Sequence, residues 1–321
     1  MYKILSARDI NPEQWDHFID SSEQGNIYAR FWYLSALSPN WKAIQFTEDD
    51  RLIAVMPFLP ERKFFYTQIN TPFAIQQLGV YTVDGKSPNP DDLKQILFRW
   101  LKTNAFVSYR FNIGNNLLLA PLTESLPIYQ QVTHHLHLLP PYQVLYEKFS
   151  SNQKRNIRKA GKNGIKTRTE GELEKLIILF RQSRKGLPPI YANQHYNDFR
   201  TIYQLGESRK ACRIYTARNE QGEIIAGGLF LFLAREIVYI FGASAEEGRQ
   251  SGAMSAVFDH LIRDYAGQDR VLDFEGSQVP SLARFYKSFG GEERTFFHLF
   301  DDKRTYIRKI KKMLSHVYTR R

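Results

Sequence analysis

The order strand, polar turn, apolar strand occurs twice in this chain, and that repetition constrains the fold more than any other feature. Residues 43–59 read AIQFTEDDRLIAVMPFL and residues 213–232 read RIYTARNEQGEIIAGGLFLF. Each has two apolar or alternating runs around a turn rich in polar residues, which is the pattern of a β-hairpin. A further strand, a loop, a helix and a strand follow each hairpin. In the first half these are Phe64–Ile69, the loop at Ser87–Pro90, a helix to about Lys102 and Phe106–Ile113. In the second half they are Ile237–Phe241, the loop Gly242–Ser251, a helix from Gly252 to about Tyr265 and Val271–Phe274. Strands and helices mixed in this order make an α/β chain with a mixed sheet, duplicated in tandem. The 321 residues suffice for two cores. The Pro140-Pro141 pair interrupts regular structure and sets the expected boundary. The expected domains are 1–140 and 141–302, followed by a segment 303–321.

Helices fill the spaces between these strands. Asn11-Pro12 opens one through Ile19, with an N-cap side chain and proline at its favoured first position. In the second half the expected helices are Asn152–Asn163, ended by Gly164, Glu172–Gln182 and Val279–Ser288. A last strand is expected at Arg294–Phe300.

Charge is distributed unevenly. Residues 1–147 hold 12 Lys and Arg against 14 Asp and Glu, whereas residues 148–321 hold 32 against 19. The second half therefore carries the net charge of +11 and is expected to meet something anionic: a small-molecule donor or acceptor, tRNA or a membrane surface. A solvated basic surface is the alternative. Lys154, Arg155, Arg158, Lys159 and Lys162 concentrate this charge on one helix without an intervening acid. Residues 303–321 hold eight more basic residues, and Tyr306, Ile307, Ile310, Met313, Leu314, Val317 and Tyr318 recur at helical spacing. An amphipathic helix there fits packing on its own domain, an anionic membrane or RNA. One cysteine, Cys212, and no apolar leader at the N-terminus lead us to expect a cytoplasmic protein. The eight histidines show no metal-ligand spacing, so no metal is expected, and His134, His135 and His137 read as structural.

The strongest candidate for chemistry is the strand–loop–helix passage Ile237–Phe258. A helix N-terminus offers unpaired N–H groups and a partial positive charge, and a glycine there lets an anion approach the backbone. Arg249, Gln250, Ser251, Gly252 and Ala253 are the candidate anion-binding run. Downstream, Ala283–Gly291 reads ARFYKSFGG. Group transfer to a nucleophile needs a base for the nucleophile, stabilisation of developing charge and an acid for the leaving group. A phenol suits the acid because its ordinary pKa, ~10, approaches that of a thiol. Tyr286 and Glu275 are the candidate acid and base; His260 and His298 are alternatives.

Those motifs resemble the GNAT acyltransferases. The A-x-F-Y-x-x-x-G pattern is similar to their penultimate helix, and the resemblance implies that Tyr286 protonates a departing CoA thiolate. Arg249–Gly252 matches the first four positions of the family's (R/Q)-x-x-G-x-(G/A) pyrophosphate loop, with Met254 in place of the small residue. The helix from Ser151 and the sequence DFEGS at Asp273–Ser277 resemble the FemAB-like peptidyltransferases, which carry two GNAT-like domains. That resemblance implies aminoacyl transfer from tRNA onto a cell-wall precursor. Where the FemAB-like pattern has an active-site lysine, this chain has Tyr286, with Lys287 one residue later and about 100° around the helix. The expected function is acyl transfer from acyl-CoA to an amine, with Arg155, Arg158 and Lys159 holding an anionic donor or acceptor. FemAB-like transfer and an inactive binding module are the alternatives.

Overall fold

The computed structural model describes residues 1–63, 65–233, 235–276 and 278–305. The amphipathic helix expected over 303–321 lies, from residue 306 on, outside these residues. Contacts divide the chain into two compact units, Val132–Arg294 forming one, and Met1–Gln131 with the chain from Thr295 forming the other.

The first unit begins with β1 (Tyr2–Ser6), α1 (Pro12–Ser21), α2 (Phe31–Leu37) and the hairpin β2 (Lys42–Glu48) and β3 (Arg51–Phe58). It continues through β4 (Pro60–Lys63), β5 (Tyr66–Asn70), β6 (Tyr81–Thr82), α3 (Pro90–Thr103), β7 (Phe106–Arg110), α4 (Asn116–Leu119) and the start of β8 (Ile128–His137). Strands β1-β2-β3-β6 form an antiparallel sheet, while β5 and β7 pair in parallel, as a crossover through α3 requires. Asn11 caps α1 by accepting the Gln14 N–H at 3.0 Å, and Asn89 caps α3 by accepting from Asp91. Asp91 and Asp92 place negative charge on the first turn of α3.

The second unit contains the rest of β8, α5 (Tyr142–Lys148), α6 (Ser151–Lys162), β9 (Lys166–Arg168), α7 (Leu173–Ser183) and α8 (Asn193–Ser208). Then follow β10 (Cys212–Arg218), β11 (Ile224–Leu233), β12 (Glu236–Ser244), α9 (Glu246–Ser251), α10 (Ala253–Tyr265), β13 (Val271–Asp273), α11 (Pro280–Lys287) and the first residues of β14 (Glu292–Asp302). The order in this unit's sheet is β8-β13-β12-β11-β10-β9. The repeat read from the sequence is present. Hairpin β10–β11 answers β2–β3, and the parallel pair β12–β13, joined through α10, answers β5–β7.

The division differs from the expected 140/141 boundary at both ends, and strand pairing is the reason. His135 pairs with Asp273, which draws 132–137 into the second unit; His298 to Asp302 pair with Arg110 to Phe106, which draws the expected last strand into the first. The prolines sit one turn after a strand that is already committed.

The two faces of the second sheet are covered by different helices. Tyr215, Phe230 and Tyr239 pack with Phe258 and His260 of α10. Phe241 packs with Phe180 of α7 and Phe199 of α8. Tyr239 and Phe241 would share a face in a regular strand. They do not, because β12 carries a bulge: Phe230 pairs with Tyr239 and Leu229 with Phe241, leaving Ile240 extra.

Candidate active site

The parallel pair β12–β13 ends early. Its register runs Glu236–Val271, Ile237–Leu272 and Val238–Asp273, after which β13 stops while β12 continues to Ser244 alongside β11. The chain leaves β13 through two left-handed residues, Glu275 at φ 51° and Gly276 at φ 57°. Where the strands part lies a cavity of about 430 Å³, lined among others by Tyr239, Arg249, Gly252, Met254, Asn156 and Tyr286.

The floor of this cavity depends on the bulge and on two glycines. A Cβ on Gly242 would lie 1.8 Å from the Tyr239 hydroxyl, and one on Gly228 would lie 2.8 Å from its ring. The tyrosine ring thus lies flat across the glycine pair and reaches along the sheet. Burial, and then the neighbouring Tyr191, push its hydroxyl pKa up.

One wall is the start of α10. Gly252, at φ 80°, is both the end of α9 and the N-cap of α10. A Cβ there would lie 2.5 Å from the Asn156 carbonyl of α6, so the two helices meet backbone to backbone. No side chain caps α10, and the N–H groups of Ala253, Met254 and Ser255 have no acceptor among the described residues. Arg249 lines the cavity, but its guanidinium donates to Glu246 (2.5 Å) and to the Ser244 carbonyl (2.8 Å). An exposed pair of this kind is worth about 0.2–1 kcal/mol, less than charge-assisted bonds of roughly 1.5–3 kcal/mol, so an entering anion can draw Arg249 over. Of the remaining residues in the expected anion-binding run, Gln250 bonds Glu246, Ser251 is buried on the Gly248 carbonyl, and the Ala253 side chain packs in the core.

The opposite wall is α11. Tyr286 is 3% exposed, stacked on Phe274 at 4.9 Å, with its hydroxyl 3.8 Å from where a Cβ on Gly276 would sit. Burial, then Tyr239 and Glu275, hold its pKa well above 10, so it stays a neutral proton donor. Lys287 faces away and pairs with Glu293 at 2.9 Å. Glu275 keeps some surface, but desolvation pushes its carboxyl pKa up to about 8.

Behind these two residues is a buried polar cluster. Asp273, 2% exposed, accepts the Glu275 backbone N–H at 2.8 Å and the Thr133 hydroxyl at 2.5 Å, and lies 3.3 Å from His135 Nε2. Burial opposes charge on His135, but the Asp273 carboxylate outweighs it and the pKa rises. Adjacent His134 is shifted the other way, first by burial and then by Lys287. Asp273 therefore fixes the left-handed turn that presents Glu275.

Helix α6 brings the basic residues to the rim unequally. In ideal helical register Lys159 lies about 60° and Arg155 about 100° from cavity-lining Asn156, whereas Arg158 lies about 160° away. All three are exposed, and none has a carboxylate within ion-pair range among the described residues. The alternative histidines lie elsewhere. His298 belongs to the first unit, bonded to Ser108 and Gln131, and His260 packs on Tyr215. Sequence reasoning missed Tyr239, Asn156 and the Thr133–His135–Asp273 cluster. The alternation of His135 with Thr133 along β8 was the available signal.

Residues 147–287 match the acetyltransferase (GNAT) domain. That match lies wholly within the second unit. The chain also superimposes along nearly all its length on tandem proteins of this fold. FemX aligns over 95% of this chain and 98% of its own at TM-score 0.66 and 13% identity. L-PGS from Bacillus licheniformis aligns over 97% of each chain at TM-score 0.53 and 12% identity. A tandem GNAT protein from the clavulanic acid biosynthesis pathway aligns over 94% of this chain and 98% of its own, at 0.52 and 11%. By sequence, no curated protein matches. The fold is thus that of tandem GNAT proteins. Among the described residues no three His, Cys, Asp or Glu side chains gather as metal ligands, and no helix is long and apolar enough to cross a membrane.

Proposed function

We propose that the second unit transfers an acyl group from an acyl-CoA donor to an amine, with Tyr286 as acid and Glu275 as base. The observation that carries this is one cavity lined by both the uncapped start of α10 and the Tyr286 phenol. Three free amides, Arg249 and a side-chain-free Gly252 suit a diphosphate. Met254, whose side chain also lines the cavity, narrows the same space. A bound thioester supplies an activated carbonyl. Glu275 as carboxylate takes the proton of the attacking amine nitrogen. Tyr286 gives its proton to the leaving sulfur, and the two residues then exchange the balance with water. Burial of Tyr286 keeps it protonated until that step.

Aminoacyl transfer is the second reading, favoured by Arg155 and Lys159 beside the cavity rim without acid partners. Calorimetric titration with acetyl-CoA separates the two. Micromolar binding, weakened about tenfold or more in Arg249→Ala, supports the CoA donor. Absence of binding at millimolar CoA, with salt-sensitive tRNA binding, supports the other.

A further inference from the structure

The first unit has a surface that this chemistry does not use. Between the β4–β5 hairpin and the end of α3 lies a cavity of about 890 Å³, walled by Arg62, Lys63, Phe65, Lys102 and Lys303. Phe65, beside the hairpin turn, is 68% exposed. Phe98, one helical turn before Lys102 on the same face of α3, is 60% exposed. Lys63 pairs with Glu61, and Lys303 with Asp301 at 2.9 Å. Arg62 and Lys102 are exposed and have no carboxylate within ion-pair range among the described residues. Residues 306–321, which follow in sequence, hold six Lys and Arg and no acid.

We propose that this face docks on an anionic lipid bilayer. Phe65 and Phe98 enter the boundary between headgroups and acyl chains, while Arg62 and Lys102 meet lipid phosphates. Exposed phenyl surface costs free energy in water and is relieved by an apolar layer. Cations beside them select an anionic surface, the combination that holds interfacial segments on membranes. RNA would satisfy the cations too. Phe98, however, lies outside the cavity, so a broad layer takes up both rings at once and a strand threaded through the cavity does not.

Co-sedimentation of the full chain with vesicles tests this. Binding is expected to phosphatidylcholine–phosphatidylglycerol vesicles and not to phosphatidylcholine alone, and salt should weaken it. Arg62→Gln with Lys102→Gln should lower vesicle affinity about thirtyfold, taking roughly fivefold per charge. Phe65→Ser with Phe98→Ser should lower it at least about tenfold. All four side chains are exposed, so superimposable circular dichroism and melting curves are expected. Equal binding by wild type and both variants, or no binding to anionic vesicles, overturns the proposal. Loss of tRNA binding with vesicle binding unchanged overturns it as well.

Discussion

Replacing Glu275 by Gln should make stability less dependent on pH. Burial raises the Glu275 carboxyl from 4.5 to about 8, so the folded state favours the neutral form. Below pH 4.5 folded and unfolded chains both carry the proton, and the group contributes nothing. Between 4.5 and 8 the unfolded chain releases it while the folded chain keeps it, so stability falls as pH rises. Above about 8 both are ionised and the loss levels off. The interval from 4.5 to about 8, at ~1.4 kcal/mol per pH unit, sets a ceiling of roughly 5 kcal/mol. Glutamine has the same shape and no charge, so it avoids that loss. Urea unfolding of both proteins at pH 5, 7 and 9 measures the difference. The variant's advantage should be under about 1 kcal/mol at pH 5 and several kcal/mol at pH 9. A gap that stays constant across this range would refute the reasoning, because it would place the carboxyl in water. The same ionisation predicts wild-type turnover that rises with pH to a plateau above about 8, and Glu275→Gln should abolish that rise.

Tyr286→Phe keeps the stacked ring on Phe274 and removes the acid, so kcat should fall by roughly 10²-fold or more with donor affinity unchanged, as stopped-flow and calorimetry would report. Gly242→Ala should drive the Tyr239 ring out of its place across the sheet, because the new methyl would lie 1.8 Å from the hydroxyl. A cost of about 1–3 kcal/mol in thermal unfolding and weaker donor binding are expected. Asp273→Asn removes the charge beside His135, so the His135 pKa should drop below its ordinary value, read by imidazole NMR titration. The same variant should loosen the Glu275 turn and change the pH profile of turnover rather than its plateau alone.

Local signals and pairing signals separate the legible parts of this chain from the rest. The hairpins, the helix from Ser151 and the caps of α1 are written in periodicity and in residues such as Asn11, Pro12 and Gly164, whose chemistry acts over a few positions. Helix α8 was missed because only Tyr196, Phe199, Ile202 and Gly206 are buried along its 16 residues, and most of its other positions are polar. The loop expected at 242–251 proved to be the end of β12 followed by α9. The domain ends were misjudged for a different reason. Which strand pairs with β13 or β7 is decided by residues more than a hundred positions away, and no local pattern reports it.

The site itself shows why. Tyr286 and Gly252 were legible, because a motif fixes each within its own helix. Tyr239 was not, because its place depends on a one-residue slip against β11. Without that slip Tyr239 and Phe241 would face the same helices, and the glycines at 228 and 242 would have no ring to accommodate. The bulge turns Tyr239 toward α10 and Phe241 toward α7 and α8, so a single extra residue supplies both an apolar anchor on one face and a polar cavity floor on the other. Asp273 acts similarly from the neighbouring strand. Its carboxylate stands at the end of β13, holds the Glu275 amide and meets His135 from β8, so it fixes the turn by which the chain leaves the strand. The shape of this cavity therefore rests on where two parallel strands stop pairing, and the residue at that point lies one strand away from the Tyr239 that lines the cavity.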